Sequence, residues 1–435
     1  MKRLGFIKVI SLLLAFIVML SVASMVACND TPKPTTPSTP TQPDGPDEPT
    51  GEAIEYPIAT NGFSDVCIVV PADEPNVVKY AKDKLKFEVK ELTGATMLSS
   101  STEAEYEILL GNTGRPESDQ VIGELEEGEY AIKVIGKKIV IAASDDAFLY
   151  EAVTDFVRKY LGEGYAEKNG KTLTLKVALD VTKDGDTESN YYKIVKNKTL
   201  KASVETAFTF KHTMYDKNNH DNIPYRTQGG YFDGTYFYQG LISRTETYGM
   251  IERYNVKTGE IVYSEIRTDM GHINDITYNP KTGELYAGNE GYTLVFDAKT
   301  LEYKKTIDNA SNTFRLSYCK YRNVFVVSTY DILSANLLTK KDGFKKDPIE
   351  NGQVLQGISS DDCFIYSLCP DYPLPSERYL TKVAVYDWYG NLVSFITVNI
   401  DGLPEPENIS IVDNEMYIQL WGSLPYIPIA KVILE

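Results

Sequence analysis

The side chains with the most chemical potential in this chain recur at one kind of place. Segments rich in aromatic and β-branched residues each begin with hydrogen-bonding groups: Arg226 and Gln228; His272, Asn274 and Asp275; Asn312 and Arg315; Gln356; and Glu407 with Asn408. Planar amide, carboxylate and guanidinium groups hold hydroxyl-rich ligands when they converge, with aromatic faces beneath sugar rings. Trp421, Tyr231, Tyr236 and Tyr278 are the candidate platforms. The plain alternative is that these polar groups satisfy one another inside the fold. The sharpest string is Gly-His-Ile-Asn-Asp over 271–275. His272 there is either a general base oriented by Asp275 or a residue that hydrogen-bonds to a neighbouring segment, since no partner nucleophile accompanies it. A glycoside hydrolase needs two carboxylates roughly 5 to 9.5 Å apart about one bond. Asp275, Glu407 and Asp361 are available, although Asp361-Asp362 reads as a hairpin turn and Glu407 sits in a proline-spaced loop. No GxGxxG opens a helix, and P-loop, HExxH and GxSxG strings are absent. Asp216–Asn222 lacks the glycine and terminal glutamate of a calcium loop. No cofactor and no metal site is expected.

The elements that must position these residues repeat. Gln228–Leu241, His272–Gly288, Thr313–Thr329, Leu355–Cys369 and Glu407–Trp421 each read as strand, polar turn, strand, with starts roughly 40 to 50 residues apart. Between them lie further strand pairs reversing at Lys-Thr-Gly, Lys-Thr or Tyr-Gly. That spacing predicts a propeller of five four-stranded blades over 200–435, in preference to six blades or a two-sheet sandwich. The last blade is one strand short, and Val204–Lys211 is expected to supply it and close the ring. This half resembles the YVTN- and quinoprotein-like propellers of secreted bacterial proteins. Such propellers host many unrelated functions, so the likeness implies architecture alone.

Residues 56–183 alternate strand and helix signals. Asp65–Val70 reads as a buried strand, and Pro75–Thr93 carries apolar residues at helical spacing up to a stop at Gly94. Strands are expected over Glu105–Gly111, Glu129–Ile135, Lys138–Ala143 and Thr172–Val181, with a second helix capped by Ser144 and ended by Leu161-Gly162. The order predicts a small α/β sandwich with both helices on one sheet face. The Lys-Glu-Leu-Thr-Gly-Ala helix end at Lys90–Ala95, the string Leu109–Ser118 and the hairpin-to-helix run 136–162 resemble the N-terminal accessory domain of bacterial α-glucuronidases and β-hexosaminidases. In those enzymes this domain is not catalytic. The resemblance therefore implies a glycan-related context and carries no active-site residue over, and Asn112 and Arg115 read as turn chemistry. The fold class is thus multidomain, an α/β sandwich followed by an all-β propeller, joined by a linker over 184–199.

The N-terminus sets the compartment. Lys2, Arg3 and Lys8 precede an apolar run, Val9 to Leu20, that is too short to span a bilayer comfortably. Ser24-Met25-Val26-Ala27 then leads to Cys28, which resembles the lipobox of bacterial lipoproteins, with Met25 where leucine is usual. Residues 1–27 are read as a signal peptide and Cys28 as the lipidation site, placing the protein on the extracytoplasmic face of the cell membrane. Residues 28–55 form a Pro/Thr-rich stalk with seven prolines between Pro32 and Pro49 and too little apolar surface to fold. In polyproline geometry it reaches about 80 Å. Loss of 1–27 removes three positive charges and no negative ones, taking the formal charge from −17 to −20. That argues against nucleic acid and anionic lipid surfaces but says nothing against a glycan. Cys67, Cys319, Cys363 and Cys369 read as buried thiols, a Cys363–Cys369 pair being the one alternative. Three functions remain open: a non-catalytic glycan-binding lipoprotein, a surface scaffold for protein partners, and a carbohydrate-active hydrolase or lyase in the propeller funnel.

Overall fold

In the computed structural model, residues 52–435 are described apart from 163, 212–225, 244–246, 310, 329, 344–354, 370–380, 401–404 and 421–425, and the side chains of 210, 211, 226, 426 and 427 are likewise outside the description. Cys28, the stalk as far as residue 51, His212, His220 and Trp421 fall outside these residues, and the last residues assigned to the stalk, 53–55, are corrected to the start of a strand. All described residues belong to one compact unit, Pro49–Glu435. No described helix is long and apolar enough to cross a membrane.

The α/β part carries strands β1 (Ala53–Ala59), β2 (Cys67–Val69), β3 (Leu98–Ser99), β4 (Glu107–Leu110), β5 (Glu129–Ile135), β6 (Lys138–Ala143), β7 (Ala166–Asn169), β8 (Thr172–Val177) and β9 (Asp180–Asp184). Six of them form a mixed sheet in the order β3-β2-β4-β6-β5-β9, in which β2, β4 and β6 run parallel, and β1, β8 and β7 form a second, smaller sheet. Its helices are α1 (Asn76–Thr93), α2 (Pro116–Glu124) and α3 (Leu149–Asp155), the last extended by a π-helical turn to Leu161. Gly94 ends α1 in the left-handed conformation at φ 79°, its N–H bonding Lys90 O. Strand alternation sorts the helices. Ile108, Leu110, Ile139 and Ile141 pack with α1 and α3 in one cluster, while Leu109, Val140 and Ala142 pack with Val121 of α2 in another. The two helices expected on one sheet face, α1 and α3, are therefore both there, and a third, α2, for which no element was expected, covers the opposite face. Pro116 at its first position and acids in its first turn are ordinary helix-start chemistry. The N-cap after β6 is Asp145 rather than Ser144, because Asp145 Oδ1 accepts from Ala147 N at 3.0 Å while Ser144 Oγ is spent on Gly128 N and Glu129 O.

The segment taken as a linker is partly helical. Helix α4 (Asn190–Lys196), capped by Ser189, buries Tyr191 and Ile194 and leads into β10 (Thr199–Lys211). Beyond it the chain is almost wholly antiparallel sheet. Three four-stranded meanders follow: β11 (Arg226–Phe232), β12 (Tyr236–Ile242), β13 (Gly249–Asn255), β14 (Ile261–Tyr263); β15 (Asp275–Asn279), β16 (Glu284–Gly288), β17 (Tyr292–Asp297), β18 (Tyr303–Asp308); and β19 (Leu316–Cys319), β20 (Val324–Val327), β21 (Asp331–Ser334), β22 (Lys340–Gly343). The strands β23 (Ile358–Ser360), β24 (Phe364–Leu368), β25 (Thr381–Asp387), β26 (Leu392–Val398), β27 (Pro406–Val412), β28 (Glu415–Leu420) and β29 (Tyr426–Leu434) share an eight-stranded sheet with β10. Strand β10 pairs parallel to β26 over Thr199–Ala202 and antiparallel to β29 from Ala202 to Lys211, so the closing strand expected at Val204–Lys211 is in place. The first strands β11, β15, β19, β23 and β27 neighbour one another in a closed cycle. This is a propeller-type arrangement.

The two parts share one hydrophobic cluster, in which Val78, Leu85, Val89 and Tyr150 meet Phe364, Tyr366, Val383 and Val385. Lys84 of α1 is 3% exposed and ion-paired to Asp362 Oδ2 at 2.9 Å and to Glu88 at 3.1 Å, with its Nζ 4.8 Å from the Tyr321 ring centroid. Tyr150 OH donates to the same Asp362 carboxylate at 2.8 Å. Burial pulls the Lys84 ammonium down, but Asp362, Tyr321 and Glu88 together hold it above the usual lysine range. Around this pair, Arg322 bonds Asp83 at 2.9 Å and lies over Trp388, while Tyr80 OH donates to Asp387 at 2.8 Å. All four described cysteines are free and buried, which disposes of the Cys363–Cys369 pair.

Candidate functional site

The innermost strand of each sheet is an edge strand, and its unpaired N–H groups face the ring axis, where each needs an acceptor. Side chains of the neighbouring inner strands supply them. Thr277 Oγ1 accepts from Tyr318 N at 3.0 Å, and Ser410 Oγ accepts from Phe232 N at 3.0 Å. Asp275 does this on the largest scale. Its Oδ2 accepts from Leu316 N at 3.3 Å and Ile358 N at 3.0 Å; its Oδ1 accepts from Ile276 N at 3.1 Å and from Asn408 Nδ2. One fully buried carboxylate thus joins β15, β19, β23 and β27. Burial pushes it well above the usual carboxylate range, against the pull of those N–H donors and of Arg315.

Close approach at this level depends on glycine. A Cβ on Gly229 would stand 2.3 Å from Asn274 O, and one on Gly357 would stand 2.8 Å from Asn408 Cα. Gly229, Asp275, Gly357 and Asn408 thus lie where the inner strands crowd together.

The predicted residues divide around this level. Asp275 and Asn408 belong to the clasp and are structural. Arg315, 1% exposed, donates to Ser367 Oγ at 2.9 Å and Ser328 O at 2.6 Å and lies 5.5 Å from the Tyr330 ring centroid, so it ties two adjacent meanders together. Asn312 is exposed and folds back on its own turn, its Oδ1 accepting from Phe314 N at 2.8 Å. His272 stacks on Phe314 with ring centroids 5.5 Å apart, whereas the described hydrogen bonds of Asp275 run to Ile276, Leu316, Ile358 and Asn408. Of the two readings of this string, the described bonds of Asp275 give it a clasping role. Gln356 Nε2 donates to Glu405 Oε1 at 2.7 Å. Arg226 opens β11, but its side chain lies outside the description. The candidate platforms Tyr231, Tyr236 and Tyr278 are half-buried and pack between the first two meanders, with Arg253 over the Tyr236 ring at 4.8 Å.

Three residues at this mouth keep unfilled capacity. Glu407 is 7% exposed, Gln228 is 8% exposed, and neither side chain has a hydrogen-bond partner among the described residues. Asn274 Nδ2 is likewise buried without a partner. They sit one position before Asn408, Gly229 and Asp275 on β27, on β11 and at the start of β15, which are consecutive in the ring. Burial, then Glu405, pushes the Glu407 carboxyl up to about 8, so it is largely neutral at pH 7 and able to donate. Asp361, by contrast, is a turn group as expected: its Oδ1 accepts from Cys363 N and Phe364 N, and burial with Asp362 beside it holds its carboxyl up.

No family model matches the chain, and no curated protein matches it. Among solved structures it is similar to the crystal structure of Myxococcus xanthus glutaminyl cyclase, at 12% identity over 55% of this chain and 99% of that one, with a TM-score of 0.37. It is also similar to the WD40 repeats of RRP9, at 7% identity over 48% and 95% of the two chains, with a TM-score of 0.29. Likeness at that level carries no chemistry across, and the propeller-type reading rests on this chain's own strand order. Among the described residues no group of three or more His, Cys, Asp or Glu is placed to hold a metal.

Sequence reasoning missed the pairing of Lys84 with Asp362. No local signal distinguishes Lys84 from the other lysines of α1, and only its position on the buried face of that helix hints at it.

Proposed function

We propose that this protein is an extracytoplasmic lipoprotein, anchored through Cys28 and carried on the Pro/Thr-rich stalk, that binds a hydroxyl-rich ligand, a glycan, at the mouth of a five-bladed propeller. The observation that carries this reading is the group Glu407, Gln228 and Asn274. An unpartnered buried polar atom such as Asn274 Nδ2 costs about 1–3 kcal/mol and is rare unless a ligand or water completes it, and beside it stand the nearly buried Glu407 and Gln228. A neutral carboxyl and two amides on adjacent inner strands suit alternating donor and acceptor hydroxyls. The α/β part, in this reading, is a second domain fused to the propeller through the Lys84–Asp362 seam, and no catalytic role is assigned. A scaffold for protein partners and a funnel hydrolase or lyase remain the alternatives.

The test is a glycan array probed with the soluble fragment 52–435, alongside Gln228→Ala, Asn274→Ala, Arg226→Ala and His272→Ala. Saccharide binding weakened by about tenfold or more in the first two variants is the expected result, the loss of one or two buried hydrogen bonds. An array silent for the parent fragment, or binding indifferent to all four substitutions, refutes the mouth as a glycan site. Turnover of a bound glycan would move the reading to the hydrolase.

A further inference from the structure

The α/β part has its own cleft, of about 800 Å³. It opens beside the carboxyl ends of β4 and β6, which are adjacent and parallel. The chain leaving β4 passes to α2 on one sheet face, and the chain leaving β6 passes to α3 on the other. Where neighbouring parallel strands send their connections to opposite faces, the loops diverge and leave a crevice, the usual ligand position in open α/β sheets. The cavity falls at that point, and its volume is in the range that accepts a small molecule.

The walls select the ligand. Asn112, Thr187 and Tyr192 contribute amide and hydroxyl groups, and Glu127, Asp145 and Asp146 contribute carboxylates. Of the carboxylates, Asp145 is already engaged by Ala147 N at 3.0 Å and Lys196 Nζ at 2.6 Å. Asp146 has no hydrogen-bond partner among the described residues. Burial, then the neighbouring Asp145 and Asp73, push its carboxyl up, and Glu127 adds a further carboxylate to the same wall. The turn beginning at Asp146, whose N–H groups would otherwise attract a phosphate, is capped by Asp145. An anion is disfavoured on both counts, whereas a ligand with many donors and a positive charge meets unfilled acceptors.

We propose that this cleft is a second binding site, for a small polyhydroxylated amine of the amino-sugar class, with Asp146 taking the ammonium and Asn112 and Thr187 taking hydroxyls. The site is separate from the propeller mouth and does not depend on the reading given for it.

Three probes of one ring shape and different charge test it: D-glucosamine, D-glucose and D-glucuronate, titrated calorimetrically into fragment 52–435 and followed by saturation-transfer NMR. Glucosamine is expected to bind tightest and glucuronate not at all. Asp146→Asn keeps size and polarity and is expected to weaken glucosamine about tenfold while leaving glucose within about twofold, the loss of a charge-assisted contact. Asn112→Ala, at an exposed loop position, is expected to weaken both sugars about threefold without touching the core. Gln228→Ala and Asn274→Ala report separately on any sugar taken at the propeller mouth, so a sugar whose binding follows Asp146→Asn and Asn112→Ala is the one held in this cleft. The proposal is overturned if no sugar binds, if glucuronate equals glucosamine, or if binding responds to the mouth variants and not to Asp146→Asn.

Discussion

Two buried aspartates hold this molecule together, and they are satisfied in opposite ways. Asp275 sits at the ring axis among neutral donors: three main-chain N–H groups and one amide from four inner strands. Asp362 sits at the seam between the α/β part and the β23–β26 sheet, and its partners are a buried ammonium and a phenol. The difference follows from what each place lacks. The axis is lined by edge strands with surplus N–H groups and needs an acceptor, so a lone carboxylate serves. The seam joins a helix and a hairpin turn whose main chains are already paired, so attachment must come from side chains. A carboxylate among dipoles links many strands at once. An ion pair links two elements and depends on both partners.

The largest effect is expected from Asp275→Ala, which leaves Leu316 N, Ile358 N and Asn408 Nδ2 without their acceptor near a close contact of inner strands. A loss on the order of 4 kcal/mol, read as a fall in urea midpoint, is expected. An unchanged midpoint would break the claim that the axis is clasped by this residue.

Asp362→Ala is expected to cost about 3 kcal/mol by leaving the buried Lys84 with Glu88 as its one remaining described carboxylate partner. Calorimetry should also show one unfolding transition dividing into two as the seam fails, whereas Asp275→Ala should not divide it. If both variants give the same single transition, the contrast between axis and seam disappears.

A pH-dependent effect sharpens the axis side. Glu407 has its folded pKa raised to about 8 against an ordinary 4.5, so the folded state holds the proton more tightly. Its contribution to stability is complete below about pH 4.5 and is lost as pH rises toward 8, at no more than about 1.4 kcal/mol per unit. Replacing it by glutamine is expected to flatten the dependence of thermal midpoint on pH across that window. An unaltered slope would mean that Glu407 is solvated and not part of a closed mouth.

Much of the β-rich half was legible because its turn chemistry repeats. Asn255, Asn279 and Asp297 each accept main-chain N–H bonds at the start of a reversal containing Lys-Thr, and Asp233, Asp361 and Asp387 do the same in other hairpins. These are local patterns, visible in any short window. The assignment of roles at the mouth was less legible, because Asp275 and Arg315 are set apart by what other sheets present to them. That Asp275 would be a clasp, and that Tyr231 and Tyr278 would pack between meanders, depends on contacts tens to hundreds of residues away. Helix α2 escaped detection for a different reason. It is short, and only Ser118 and Val121 are fully buried, so its apolar periodicity is too weak to register beside the Gly-rich turn before it.

One further consequence lies in timing. Strand β10 precedes every inner strand of the ring, yet Ala202 finds its antiparallel partner in Leu434, roughly 230 residues later, a separation that makes this pairing slow to form. A chain emerging from its N-terminus must therefore carry β10 unfinished while each meander folds on its own local contacts, and only the arrival of β29 completes the circle. Once β26 has been made, and before β29 arrives, the outer edge of β26 can hold β10 through Thr199–Ala202. That short parallel pairing can act as a bookmark, keeping the first strand in register until the last one reaches it.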